Sequence, residues 1–161
     1  MWQALIAAPI LVVVLAIMLP ILLLGYVGRL IRGLWLKARL SSTWPQGRIG
    51  LVAYTANQKW APYLEQELLP KIAASCVVVN RSDAQWKERF PLEAKAIAHW
   101  GGLRAYNPIA ILLTPTDRVR VFRLYDAFQQ RVRGKPKRLE EVTRELVATV
   151  ELYSRNDRSA R

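Results

Sequence analysis

Residues 54–62, with the sequence YTANQKWAP, form a polar turn between an apolar run and a helix-like segment. Such a turn is a frequent position for an active site, because side chains at the end of a buried strand are held in place while facing solvent. The turn offers Thr55, Asn57, Gln58, Lys59 and Trp60 but no cysteine, histidine or carboxylate. It therefore lacks the thiolate, imidazole and carboxylate groups on which most nucleophilic and acid–base catalysis depends.

Histidine and cysteine each occur once in the chain. His99 is the only histidine and Cys76 the only cysteine, so the chain has no His cluster for a metal or a catalytic triad and no intramolecular disulfide. We interpret Cys76 as a small buried apolar residue in a strand and His99 as a structural or capping residue at a helix end. Gly101-Gly102 follows a helix instead of opening one, unlike a phosphate-binding loop. The sequence predicts no catalytic residue, metal or cofactor.

The N-terminal segment has the composition of a transmembrane helix. No charged side chain occurs between Trp2 and Gly28, and about 20 apolar residues are enough to cross a hydrocarbon core. A cleaved signal peptide is the alternative, but the segment lacks a basic start, its apolar run is too long, and no small-residue cleavage pattern precedes Arg29. We expect an uncleaved membrane helix over residues 1–28.

Basic residues follow this span, whereas none precedes it. Positive residues remain on the cytoplasmic side, which predicts an inner-membrane protein with its N-terminus outside and its C-terminal domain in the cytoplasm. Residues 29–47 are expected to form a basic juxtamembrane helix and linker. Part of the net charge of +12 lies there, and contact with anionic lipid headgroups explains it without nucleic acid. The candidate lipid contacts in this segment are Arg29, Arg32, Lys37 and Arg39.

From residue 48 onward, strand-like and helix-like patterns alternate in the order β-α-β-α-β-β-α. Predicted strands cover residues 49–54, 76–80, 109–113 and 119–125. Predicted helices cover residues 57–73, a stretch after Ser82 that Pro91 interrupts, and residues 137–153. Asn57 is expected to cap the first helix. The short turn at 114–117 requires an antiparallel hairpin, and residues 154–161 are expected to be a disordered tail.

Two helices carry a clear apolar face. Trp60, Leu64, Leu68 and Ile72 lie four apart in the first, and Leu139, Val142, Leu146 and Val150 follow a similar pattern in the last. A βαβ unit followed by a hairpin and a helix predicts an α/β domain with a small mixed sheet and helices on both faces.

This order, with two local sequences, resembles the thioredoxin-like fold over residues 48–153. The strand at 49–54 leads through Tyr54-Thr-Ala-Asn57 to Trp60-Ala-Pro62, which is similar to the family's strand, active-site turn and helix proline. Pro108, before the strand at 109–113, is similar to the family's cis-proline. The Cys-x-x-Cys motif is missing, so thiol–disulfide exchange is not implied. The resemblance implies a groove that holds polypeptide, with Tyr54, Asn57, Trp60 and Pro108 as candidate partner contacts.

The tryptophans allow two interpretations. Trp60, Trp86 and Trp100 each lie near a helix end or on an apolar stripe, which favours the core. If Trp60 is exposed beside Tyr54, the pair would instead form a docking patch.

A second basic cluster lies between residues 131 and 138. Five cations in eight residues are compatible with a solvated loop, with contact to anionic lipid or an acidic partner, or with nucleic acid. Nucleic acid is disfavoured because no stacking aromatics are interleaved in the run. The candidate lipid contacts here are Arg131, Arg133, Lys135, Lys137 and Arg138.

We therefore expect a non-enzymatic, membrane-anchored interaction protein that acts as an accessory subunit or assembly factor of a membrane protein complex. Its partners would be the lipid bilayer and other membrane-protein subunits. Two alternatives remain open at this point: a periplasmic thioredoxin-like holder or chaperone domain, and an enzyme of unknown chemistry on the same scaffold.

Overall fold

The computed structural model describes residues 2–102, 107–114 and 118–159, with side chains for residues 16–102, 107–114 and 118–155. These residues form a four-stranded sheet, seven α-helices and one π-helical segment. The strands are β1 Gly50–Tyr54, β2 Cys76–Asn80, β3 Ile109–Leu113 and β4 Val119–Arg123. The helices are α1 Trp2–Thr43, α2 Ala61–Tyr63, α3 Leu69–Ile72, α4 Trp86–Arg89, α5 Pro91–Trp100, α6 Leu124–Val132 and α7 Lys137–Ser159, and the π-helix is Leu64–Leu68.

The sheet is mixed, with the strand order β2-β1-β3-β4. Strand β1 runs parallel to β2 and antiparallel to β3, and β3 and β4 form an antiparallel hairpin. Parallel neighbours need a long connection, which the helices between β1 and β2 supply. The predicted βαβ unit and the predicted hairpin are both confirmed.

Strand β1 is buried along its whole length. Its side chains alternate between two apolar cores, with Leu51 and Ala53 on one face of the sheet and Val52 and Tyr54 on the other. A Cβ atom at Gly50 would lie too close to the end of the Leu112 side chain, so a larger residue here requires Leu112 to move within the core. Burial on both faces explains why this segment is continuously apolar instead of alternating.

Helices cover both faces of the sheet. The core that contains Val52 is closed by the α2–α3 helix, α6 and α7, and the core that contains Leu51 is closed by α4, α5 and the segment from Leu40 to Trp44. In the second core, the Trp44 Nε1–H donates a hydrogen bond of 2.7 Å to Oε1 of Glu93, and both residues are buried. This bond satisfies a carboxylate that would be costly to bury alone.

The connection from β1 to β2 is one long helix with a wide turn in its middle. Residues Leu64–Leu68 are π-helical, and the N–H of Leu69 bonds the carbonyl of Leu64, five residues back. Pro70 follows in the next turn and has no N–H for an α-helical bond, which favours a local change of helix type. The predicted apolar stripe is buried throughout: Trp60, Leu64, Leu68 and Ile72.

Helix α1 is continuous from Trp2 to Thr43, including Pro20. The chain divides into two compact units, Met1–Leu36 and Lys37–Arg161, so the last turns of α1 belong to the second unit. From Ala16 onward the helix is long and apolar enough to cross a membrane. Its exposed apolar side chains are Ile17, Met18, Leu19, Ile21, Leu22, Leu23, Leu24, Tyr26, Val27, Leu30, Ile31, Leu34 and Trp35.

Several boundaries differ from the sequence prediction: β1 begins at Gly50, and the helical part of the first predicted helix covers residues 61–72. Strand β4 ends at Arg123, and the next residue begins helix α6, which the sequence analysis did not predict. The alternation in residues 119–125 reads as one strand, whereas burial of Leu124, Ala127 and Phe128 at helical spacing makes its end helical. Helix α7 continues to Ser159. Residues 154–159, which are expected to belong to a disordered tail, are therefore helical. The expected turn at 114–117 lies largely outside the described residues.

Two leucines of α7 provide a matched test of this packing. Leu146 is fully buried, while Leu152 is 57% exposed. We expect Leu146→Ala to lower the free energy of unfolding by about 2–5 kcal/mol, because it leaves a cavity in the core. Leu152→Ala should change it by less than about 0.5 kcal/mol. Urea denaturation of the full chain in mild detergent, followed by tryptophan fluorescence, measures both, and equal losses would contradict the assigned orientation of α7.

Candidate functional site

The polar turn after β1 lies at one end of the sheet together with two other segments. Tyr54 pairs with Asn80 at the ends of β1 and β2, and Ala53 pairs with Ile109 at the start of β3. The Asn107–Pro108 peptide bond, which precedes β3, is cis. The structure thus brings the predicted turn and Pro108 to the same end of the sheet.

The turn is tied down by its own polar groups. The Asn57 Oδ1 accepts a hydrogen bond of 2.9 Å from the N–H of Lys59, and the N–H of Ala56 donates one of 2.8 Å to Oγ of Ser82. The Asn57 carbonyl accepts from the N–H groups of Trp60 and Ala61. The α-helix is assigned from Ala61, and the hydrogen-bonded turn at 58–60 runs directly into it. Asn57 accepts from the N–H of Ala61 through its carbonyl and from the N–H of Lys59 through its side chain, which are the hydrogen bonds predicted for a helix cap.

Tyr54 does not face solvent, contrary to its prediction as an exposed partner contact. The side chain is 6% exposed, and its hydroxyl donates a hydrogen bond of 3.0 Å to Oε1 of Glu65. Burial raises the pKa of Tyr54, and the hydrogen bond and negative charge of Glu65 raise it further. The alternation of β1 turns this residue toward the core, which explains the correction.

Trp60 and Pro108 are also buried, so neither presents a surface to a partner. The Trp60 Nε1–H donates a hydrogen bond of 3.0 Å to the carbonyl of Thr55, and the ring packs edge-on against Tyr125 at a centroid distance of 6.1 Å. The core interpretation of Trp60 is therefore confirmed. Of the four predicted partner contacts, only Asn57 is exposed.

Cys76 is fully buried at the start of β2. Burial raises the pKa of its thiol to about 12, although the positive charge of Arg48 acts in the opposite direction. The Arg48 guanidinium donates hydrogen bonds to the carbonyls of Ala73 and Cys76. The thiol is therefore protonated at physiological pH and buried, as predicted for a structural cysteine.

Trp86 and its cations form a second aromatic feature, in the segment after β2. Trp86 is 8% exposed, the guanidinium of Arg81 lies 5.2 Å from its ring centroid, and the ammonium of Lys87 lies 5.9 Å away. Burial lowers the pKa of Arg81. The cations cover the ring, so Trp86 acts as a packing residue.

A cleft of about 640 Å³, which the sequence does not predict, lies beside the edge strand β4. Its lining includes acidic, basic and apolar side chains, and the guanidinium of Arg120 lies 4.0 Å from the carboxylate of Glu145. The consecutive elements β4, α6 and α7 supply most of the lining, and Trp100 of α5 completes it. No local sequence motif marks such a site. The lining residues are Trp100, Arg120, Val121, Phe122, Arg123, Asp126, Ala127, Gln130, Arg138, Val142 and Glu145.

The predicted lipid contacts fall in two groups. In the juxtamembrane group Arg29, Arg32 and Arg39 are exposed, but Lys37 is half-buried and its Nζ donates a hydrogen bond of 2.8 Å to the carbonyl of Thr114. Lys37 therefore holds part of the domain together. In the second group all five cations are exposed: Arg131, Arg133, Lys135, Lys137 and Arg138.

Among the described residues, no group of three or more His, Cys, Asp or Glu side chains is placed to hold a metal ion. No protein-family model, curated protein or solved structure matches this chain.

The buried thiol gives a direct test of the site geometry. At pH 8, a pKa of about 12 leaves about one thiolate in ten thousand, so we expect a water-soluble disulfide reagent to modify native Cys76 at least a hundredfold more slowly than an exposed cysteine. Denaturant should remove this difference. The matched control is Ala98→Cys, at an exposed position on α5. Rapid modification of Cys76 in the folded protein would contradict both its burial and its structural role.

Proposed function

We propose that this chain is a single-pass membrane protein whose second unit is a redox-inactive thioredoxin-like domain used for interaction. The protein would serve as an accessory subunit or assembly factor of a membrane protein complex. The observation that carries the proposal is the turn after β1, where Tyr54 and Asn57 stand at the ends of the segment that carries the paired thiols in that family, and both are held in structural hydrogen bonds.

The strand arrangement supports the thioredoxin-like assignment. A parallel βαβ unit, a third strand antiparallel to β1 and a final antiparallel edge strand are the core arrangement that the resemblance implies. Helices on both faces and the cis peptide bond before Pro108 agree with it. Helix α6, inserted directly after β4, is an addition to that arrangement.

The polar groups at the end of the sheet favour binding over catalysis. Hydrogen bonds within the domain engage the hydroxyl of Tyr54, the indole of Trp60 and the side chain of Asn57. Burial and Glu65 raise the pKa of Tyr54, which keeps its hydroxyl protonated, and an indole or an amide is neither a nucleophile nor a base. The exposed segment from Ala56 to Lys59 is then a rigid polar edge suited to contact with a protein partner.

The membrane assignment is supported by α1 and by the cations that follow it. The helix has the length and composition of a span, and Arg29 and Arg32 are exposed just after its most apolar part. Cations at this position favour retention of the following domain in the cytoplasm of a bacterial cell, with the N-terminus outside the inner membrane.

The orientation is tested with a C-terminal reporter that is active only in the cytoplasm and a second that is active only outside it. We expect activity from the cytoplasmic reporter alone. Arg29→Ala combined with Arg32→Ala should raise the inverted fraction, because it removes half of the flanking cations. Arg131→Ala combined with Arg133→Ala is the matched control, since cations so far from the span have little influence on orientation. Activity of the external reporter alone would favour the periplasmic holder.

The partner contact is tested with a photo-crosslinking amino acid at Asn57. We expect it to join the full chain to one membrane-protein subunit that also co-purifies after gentle solubilisation. The same group at Glu151, an exposed position on α7, is the control and should give no such product. Purification as a single uncomplexed chain, with no crosslink from Asn57, would contradict the role of an accessory subunit.

A further inference from the structure

The turn between α6 and α7 combines a fixed backbone with a high density of positive charge. Helix α6 ends in a Schellman motif: Gly134 has a φ of 79°, its N–H bonds the carbonyl of Arg131, and the N–H of Lys135 bonds the carbonyl of Gln130. An apolar contact between two positions of this motif is common, but in this chain those positions are occupied by the polar residues Lys135 and Gln130. The turn is thus held by backbone bonds, which leaves its side chains free to face outward.

Val132 is an exposed apolar residue within this basic turn. It is the last residue of α6 and is 63% exposed, between Arg131 and Arg133. Phe128, four residues earlier, is buried, so Val132 extends the apolar stripe of α6 beyond the protein core. An apolar side chain that is 63% exposed gains free energy by entering an apolar medium.

Two of the cations are fixed in position by the domain. The Arg131 guanidinium lies 5.0 Å from the ring centroid of Tyr63, and the Arg138 guanidinium lies 3.5 Å from the Oε2 atom of Glu141. Arg133, Lys135 and Lys137 extend the same surface on the turn. Residues 131–138 contain no acidic side chain, and of their five cations Arg138 is paired with Glu141.

We propose that the α6–α7 turn is a second membrane contact, which binds anionic lipid headgroups through its cations and inserts Val132 into the interface. An anionic bilayer matches both components of the surface, because it offers a sheet of negative charge with an apolar layer beneath. Nucleic acid fits less well, since the turn has no aromatic side chain for base stacking. The inference depends on the proposed membrane anchor, which places the domain on the same molecule as a span.

The contact is measured on the full chain reconstituted in vesicles. A fluorophore attached through Val132→Cys reports depth through quenching by nitroxide-labelled lipids, and the inaccessible Cys76 leaves the new thiol as the reactive one. We expect quenching in vesicles with about one-third anionic lipid, and its loss in neutral vesicles. A salt concentration of 1 M should also remove it, because the screening length falls to about 3 Å. A fluorophore at Ala98→Cys, on the opposite side of the sheet, should remain unquenched under all conditions.

Two pairs of charge-reversal substitutions distinguish lipid binding by this turn from an attraction that depends only on the net charge of the domain. We expect the double substitution Arg133→Glu and Lys135→Glu to lower the ratio of membrane-bound to unbound turn at least 25-fold. The reason is that each cation near an anionic surface raises this ratio by about fivefold. Lys71→Glu combined with Lys95→Glu changes the net charge equally at exposed positions outside the turn and should leave quenching unchanged.

The outcomes distinguish this inference from the proposed anchor. A chain that is extracted from vesicles by alkaline carbonate lacks the anchor, which overturns the proposed function. A chain that resists extraction but shows no quenching at position 132, or equal quenching in neutral vesicles, overturns only the lipid contact. If the fluorophore responds instead to added RNA or to an acidic polypeptide, the occupant is a polyanion in solution and the lipid assignment is wrong.

Discussion

The burial of β1 on both faces is the constraint on which the rest of the domain depends. A strand in this position can satisfy its N–H and C=O groups only through neighbouring strands, so β2 and β3 must flank it on both edges. Its alternating side chains then define two cores, each of which needs its own layer of helices. The absence of a side chain at Gly50 allows Leu112 to pack against the start of the strand. The three-layer arrangement follows from these requirements.

Strands and apolar faces could be predicted from sequence where the local pattern and the tertiary environment agree. The bounds predicted for β2 and β3 match the structure, because both are short β-branched or aliphatic runs followed or preceded by polar residues. Helix α6 is not predicted from the sequence because its first residues continue the alternating pattern of β4. Its helical form becomes apparent only in the structure, where Leu124, Ala127 and Phe128 are buried at helical spacing. The continuation of α7 past Tyr153 was missed because residues 154–159 are polar. At Ser154, the hydroxyl bonds that of Ser75, a contact between distant segments that no local pattern reveals.

The candidate site, too, was only partly predictable from the sequence. Its location at the end of β1 was predictable, because a polar turn follows an apolar run. The exposure of its side chains was not, since the orientation of Tyr54 depends on which face of β1 meets which core. The hydrogen bond from Tyr54 to Glu65 shows how an apparently available hydroxyl becomes part of the packing. The exposed, charged surface lies instead at the α6–α7 turn, where a Schellman motif holds the backbone and no core packing is required of the side chains.

The π-helical turn at Leu64–Leu68 has a consequence for how this chain is compared with others. A π-turn closes its hydrogen bond over five residues where an α-turn uses four, so this helix accommodates one extra residue within the same length of axis. Superposition on a regular α-helix that begins and ends at the same points requires a single-residue gap inside the segment. An ungapped alignment that matches Trp60 at the start of this helix would misplace Ile72 at its end by one position. It would then assign the buried stripe after the π-turn to the wrong residues.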